Sequence, residues 1–412
     1  VQDTDARRQC DRAGQAMNMA STPTAPAPVR IDPDKPLVLK DALDQAWRSS
    51  PRLIAAYRRW EAALARVPQA RSLEDPALTF EYMLEQRNTL YKAQLSQAIP
   101  LAGKLDLKDR MALAEARAAM HEFESARLAV YDRVVKTFHE YVYLARSLAV
   151  TGENVELMGA LERVVSERYQ AGSSSHSDLV KAQVEKEKMA SELAFMKDER
   201  RARSAALAAV LNLPVERELP LPLTPEPAAG IPDESTLIDM LRDLNPDLKA
   251  KDAMIERQEI AEKLAGRSAV PDLMLGTSYE VMAGASGKGQ ESNVGVMAGI
   301  TLPIWWGRYR AAKAEARATQ EATVQDRNDL ENQIRADLVM AVARYHDAAR
   351  RLNMYRDSLL PKAQQALEVS RKDFAGGKIS FTLLLDAQRT ALEFQRQQAR
   401  ALADHEMAVA EI

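Results

Sequence analysis

The chain has 412 residues, of which 46% are hydrophobic and 28% charged but only 5% aromatic, and its formal net charge is -3. A balance so near neutral gives no ground for nucleic-acid binding or a polybasic membrane surface, and a single cysteine excludes a disulfide framework. Scarce aromatics with abundant Ala, Leu, Glu and Arg point to long helices packed through narrow seams, and the lack of any apolar run of about 18 residues excludes a spanning helix but not a closed barrel.

Residues 1–38 form an arm whose Pro23, Pro26, Pro28, Pro33 and Pro36 block regular structure, so it is expected to be extended or disordered. The chain begins at Val1 with neither Met nor an apolar leader, the expectation being a processed or trimmed form. Cys10 follows Arg7, Arg8 and Gln9 rather than small apolar residues, so an unmodified thiol is preferred over a lipid anchor. Residues 39–72 have helical spacing, with Leu43, Trp47, Leu53, Tyr57, Trp60 and Leu64 recurring every three or four positions and Pro51 dividing the run.

After Pro76 the period becomes two. Leu78, Phe80, Tyr82 and Leu84 alternate with smaller or polar residues over 77–84, and Tyr91, Ala93 and Leu95 do so over 90–98, which predicts a hairpin of two strands. From Gly103 a helical run reaches about Tyr169 without a proline, and its return is expected from about Ser177 to Leu211. Some 65 helical residues would extend roughly 100 Å, more than a compact domain holds, so the helix needs neighbours along its length. The stripe Val130, Val134, Phe138, Tyr141, Leu144, Leu148, Leu157, Leu161 and Val164 is expected to supply that seam.

A proline-rich linker over 213–233 follows, and then the unit begins again. Pro246, Glu256 and Pro271 answer Pro51, Glu61 and Pro76 at a constant offset of 195. The second copy, 234–412, is read as helix 234–267, strands 272–283 and 293–302, and a helical hairpin over 307–412 with a mild interruption at Pro361. The first copy accordingly spans 39–212, with its own helical hairpin over 103–211. In the second strand pair, Leu273, Leu275, Thr277, Tyr279 and Val281 share a face, as do Val294, Val296, Ala298, Ile300 and Leu302, with a wet loop over 283–292 between them. Trp305 and Trp306 stand where strand passes to helix, a place that suits a membrane boundary or a packed corner equally.

Each long helix ends in a related tip, YQAGSSSHSDLVKAQ from Tyr169 and FAGGKISFTLLLDAQ from Phe374. Gly172 and Gly377 suit left-handed C-terminal caps, and the Ser or Thr residues behind them can receive the first N–H groups of the next helix. The fold class expected is therefore mainly α with a β part, in two internal repeats. Four strands of about ten residues have the length to cross a bilayer at a tilt, and several copies of the chain could close them into one barrel. A soluble sheet capping a helical scaffold or adaptor protein remains the other reading. Catalysis has no support, since neither a nucleophile elbow, a phosphate loop, HExxH nor CxxC occurs, and His121, His139, His176, His346 and His405 are too scattered to bind a metal. No cofactor is expected.

The unit of helix, strand pair, IPLAGK or LPIWWGR, long helix, glycine tip and LLLDAQRT resembles the TolC family of outer-membrane efflux and secretion channels over residues 39–412. That resemblance implies a homotrimer whose strands build a twelve-stranded barrel in the outer membrane, continuous with a twelve-helix tunnel in the periplasm. It implies as partners a periplasmic adaptor and an inner-membrane pump, with outer-membrane lipid around Leu78, Phe80, Tyr82, Leu275, Tyr279 and Val296, and no nucleic acid. It places adaptor contacts at Gly172, Ser173, Gly377 and Lys378, and gate carboxylates at Asp178 and Asp386, although Ile379 and Leu383 stand where the archetypal member has an arginine and an acid. The compact strand loops and PLAGK-type junction point to the heavy-metal branch, which works with resistance-nodulation-division pumps. Drug efflux and type I secretion channels share the same body.

Overall fold

The structure, a computed structural model, describes residues 35–83, 89–227, 230–283 and 290–412. Cys10 with most of the arm, Leu84, the first turn over 85–88 and the loop residues 284–289 lie outside them. In chain order the elements are α1 (Leu39–Ser49), α2 (Pro51–Arg71), β1 (Ala77–Tyr82), β2 (Thr89–Ile99), α3 (Lys104–Gln170) and α4 (His176–Val210), then α5 (Glu234–Leu244), α6 (Pro246–Arg267), β3 (Leu273–Ala283), β4 (Gln290–Ile300), α7 (Trp306–Met354), α8 (Leu360–Ala375) and α9 (Phe381–Glu411). A π-helical turn, Tyr355–Leu359, joins α7 to α8. Pro361 has no N–H to give the carbonyl four residues back, and the Leu360 N–H bonds Tyr355 O, five residues back.

The chain divides into two compact units, and each takes parts of both sequence copies. The first contains residues 126–243 and 334–412 with the described residues up to Ile54; the second contains Ala55–Ser125 and Leu244–Gln333.

In the first unit the helical hairpins pack on one another. Val150, Met158 and Val165 of α3 meet Ala182 and Met189 of α4, Leu367 and Phe374 of α8, and Phe381, Leu384 and Leu385 of α9. The seam on α3 departs from the predicted stripe here. Met158 and Val165 are buried while Val164 is exposed, one residue off the predicted stripe. A helix with 3.6 residues per turn drifts about 20° per heptad, so a straight helix changes the residue it presents. A second core joins α1, α3, α4 and the linker through Ala42, Ala46, Val134, Phe138, Tyr141, Leu207 and Leu219. The linker is tied down through its backbone. The Leu37 N–H bonds Leu221 O and the Leu223 N–H bonds Leu37 O, while the Tyr141 hydroxyl donates to Leu219 O at 2.9 Å.

In the second unit, Tyr57, Trp60 and Phe123 form an aromatic cluster between α2 and α3. Arg66 and Arg257 share Glu115, and Arg117 pairs with Glu256, so ion pairs tie α2 and α6 to α3. The same unit carries an antiparallel sheet in the order β1-β2-β3-β4, with β1 and β4 at its edges. β4 begins at Gln290, three residues before the apolar alternation predicts, because its backbone pairs with β3 as far as Ala283 whatever the side chains. Leu302, assigned to that strand by its pattern, lies beyond its end.

Candidate functional surfaces: the hairpin tips and the sheet

Both tips are built from the same bonds. At the first, the Ser173 N–H reaches Arg168 O and the Gly172 N–H reaches Tyr169 O; at the second, Lys378 reaches Asp373 O and Gly377 reaches Phe374 O. These pairs make a Schellman cap, and the glycine in each takes a positive φ, +72° at Gly172 and +73° at Gly377. Ser175 and Ser380 then cap the outgoing helices by accepting N–H bonds from Asp178 and Leu383. Gly172, Ser173, Gly377 and Lys378 are all exposed.

The two gate candidates occupy different places. Asp178 is engaged in its helix cap: its amide donates to Ser175 Oγ, and its carboxylate accepts from that hydroxyl at 2.8 Å. Asp386 lies exposed on the second turn of α9, with its carboxylate 3.9 Å from Arg389. By tip alignment Asp178 answers Leu383, while Asp386 answers Lys181. No hydrogen bond or ion pair joins Asp178 to Asp386 among the described residues.

Residues that motif reading passed over hold the tips together. Arg168 of α3 stacks 4.4 Å over the Phe374 ring and donates to Ala375 O at 2.7 Å. Arg389 of α9 pairs with the buried Glu185 of α4, and its hydrogen bonds hold that carboxyl below its usual range. Gln388, also buried, bonds Asn154 of α3 and accepts from Arg371 of α8. These partners lie on different helices, so the helical period of any one segment does not disclose them. Only the placement of Glu185, an acid on the otherwise apolar row with Ala182 and Met189, marks a buried charge that needs a partner.

On the sheet, register gathers the alternating residues of all four strands onto two faces. Phe80, Ala93, Tyr279 and Val294 form one row of the apolar face; Leu78, Leu95, Thr277 and Val296 form the next, and Leu275 stands opposite Ala298. Leu78, Phe80, Tyr82, Leu275, Tyr279 and Val296 are exposed, Val296 to 89%. Val281, expected on the same open face, is instead buried where it stands opposite Tyr91. The other face is polar and small, with Thr79, Gln94, Ser278 and Gly295 in one row and Glu81, Lys92, Glu280 and Asn293 in the next.

The junction where β2 enters α3 is tightly organised. Ala102 and Gly103 take φ of +57° and +70°. The buried Lys104 ammonium then donates to Val270 O at 2.6 Å and to the Asp272 carboxylate at 2.8 Å. Asp272 also accepts the Leu101 N–H, and its own backbone exchanges bonds with Thr301. One aspartate thus ties the exit of β2 to the bases of β3 and β4.

No helix among the described residues is long and apolar enough to cross a membrane. Nor do three His, Cys, Asp or Glu side chains among them converge as a metal site.

A two-copy chain with paired glycine-capped helical hairpins and an amphipathic sheet is the build of an efflux channel protein. The sequence pattern of the outer membrane efflux protein family matches residues 42–213 and 237–412, and the chain belongs to that family, with its place in the outer membrane. It is 24% identical over 335 residues to the pyoverdine export outer membrane protein OpmQ of Pseudomonas putida, covering 77% of this chain and 68% of that one. It is 24% identical over 366 residues to the cobalt-zinc-cadmium resistance protein CzcC of Cupriavidus metallidurans, covering 87% and 84%. The outer membrane protein VceC of Vibrio cholerae has the same fold, with a TM-score of 0.73 at 19% identity over 90% of this chain and 94% of that one.

Proposed function

We propose that three copies of this chain close their sheets into one barrel across the outer membrane, forming the passive exit duct of a tripartite efflux system. The observation that carries the reading is the sheet: a largely apolar face on which Leu78, Phe80, Leu275, Tyr279, Val294 and Val296 are exposed, a polar opposite face, and β1 and β4 at its edges. In water such a face and such edges invite aggregation, whereas closure in a bilayer satisfies the backbone and gives the apolar side chains lipid. The exposed tips at Gly172, Ser173, Gly377 and Lys378 then receive a periplasmic adaptor, which joins the duct to an inner-membrane pump. Of the two gate carboxylates, Asp386 is favoured, since Asp178 is engaged in its helix cap.

The protein mass of the membrane-extracted particle, corrected for detergent, tests this. Three times the 45.7 kDa chain is the expected result; a single chain that stays soluble without detergent overturns the duct and favours the scaffold. For cargo we propose heavy-metal cations driven by a resistance-nodulation-division pump. The likeness to CzcC over most of both chains supports this, while the equal identity to OpmQ keeps pyoverdine export as the second reading. Loss of the chain should sensitise cells to cobalt, zinc and cadmium. Unchanged metal tolerance with lost pyoverdine export would favour the second reading.

A further inference from the structure

The first turns of α7 carry an unusual combination. Leu302, Ile304, Trp305 and Trp306 follow β4 with exposures of 69%, 63%, 68% and 60%. Arg308, Arg310 and Lys313 come directly after them, all exposed, and none is ion-paired among the described residues. Neighbouring cations behave otherwise: Arg317 pairs with Glu321, Arg327 with Asp252 and Glu331. The matching junction of the first copy is also different. There Lys104, the counterpart of Arg308, is buried against Asp272, and PLAG offers no tryptophan.

We infer that this junction is a binding surface for anionic phospholipid, with Trp305 and Trp306 at the hydrocarbon boundary and Arg310 and Lys313 on the headgroup phosphates. It rests on the reading that the sheet spans the bilayer. Trp306, Arg310 and Lys313 recur at i, i+4 and i+7, which puts them on one face of α7. At 1.5 Å per residue, Arg310 lies about 6 Å and Lys313 about 10 Å beyond Trp306. The interfacial layer of a bilayer is about 5–8 Å deep on each side, so a helix leaving it steeply carries Arg310 through the phosphates and keeps Lys313 within a side chain's reach of them. The apolar run is continuous with the exposed face of β4, at Val294, Val296 and Ile300. Indole rings favour this depth because one edge donates a hydrogen bond and the remainder is apolar. Unpaired cations beside them supply the charge complement that a zwitterionic surface does not need.

The test uses the full chain in phosphatidylcholine vesicles containing equal fractions of either brominated phosphatidylglycerol or brominated phosphatidylcholine. Fluorescence of the junction is obtained by difference from a Trp305→Phe/Trp306→Phe chain, which removes the signal of Trp47 and Trp60. Stronger quenching by the brominated phosphatidylglycerol is expected. Arg310→Gln/Lys313→Gln should weaken that preference by about fivefold per cation removed and leave quenching by phosphatidylcholine unchanged. Equal quenching by the two lipids overturns the anionic site, and quenching by neither shows a surface covered by a second copy or a packed corner. Particle mass in the same samples separates the failures: a three-chain particle without lipid preference sinks only this site, and a single-chain particle sinks the barrel as well.

Discussion

Gly377 holds a φ of +73° with nothing among the described residues within 4 Å of the position a Cβ would take, so its requirement is one of backbone conformation alone. An alanine there pays the left-handed penalty of about 1 kcal/mol without a clash, and asparagine pays less. Gly377→Ala should therefore raise local opening about fivefold, read as faster hydrogen exchange at the Lys378 amide, with Gly377→Asn milder. Unchanged exchange would show that the cap is not what orders the tip. His139 sets a different constraint. It is 2% exposed on α3, and its Nδ1 has no hydrogen-bond partner among the described residues. Burial lowers its pKa, against the smaller pull of the Glu406 carboxylate, so the folded state favours the neutral ring. The folded protein thus binds fewer protons than the unfolded chain, and the stability tied to His139 is present above about pH 6.5 and lost as pH falls below it. The thermal midpoint of the wild type should drop from pH 8 to pH 5, and His139→Leu should flatten that drop. An identical pH profile in the variant would remove His139 as its cause.

Among the elements, the β2–α3 junction shows how one ion pair organises chain segments distant in sequence. Lys104 is nearly buried, while the Asp272 side chain keeps 33% exposure, so water softens the loss of either partner. Lys104→Met should cost about 1–3 kcal/mol, less than the 3–5 kcal/mol of a fully buried pair. Measured by denaturant midpoint, the loss should be matched by Asp272→Asn and should not add in the double variant. Strict additivity would mean that the two residues act separately. The same reasoning distinguishes the helical tips. Glu185 is buried and needs Arg389, whereas the exposed pair Glu368 and Lys372 on α8 contributes little to rigidity.

At the scale of the whole molecule, the sheet is the element whose surface demands partners. Val296 lies on its apolar face and is 89% exposed. If that face meets lipid, Val296→Arg costs about 2–4 kcal/mol near the bilayer midplane in every copy. The recovered yield of membrane oligomer should fall sharply. Ser278→Arg, on the polar face of β3, should assemble as the parent does. Equal tolerance of both substitutions would place neither face in lipid.

Much of this architecture is legible without coordinates because it is local and repeated. Alternation at 78–82 and 273–281, the glycine-serine tips and the offset of 195 each restate a short-range rule, and the two copies corroborate one another. Where local pattern and tertiary context disagree, context decides. Gln290, Glu291 and Ser292 are strand because β3 is there to pair with them, Val281 is buried by its neighbours, and the α3 seam passes to Met158 and Val165 as the helix turns. The sequence by itself determined the elements, their order, their repetition and the tips' capping chemistry, all of which depend on residues a few positions apart. Only the tertiary structure decided that Arg168 meets Phe374, that Arg389 meets Glu185 and that Lys104 meets Asp272. Those pairings join helices or strands separated by more than a hundred residues, and the spacing along one chain segment carries no information about which charge another segment will bring beside it.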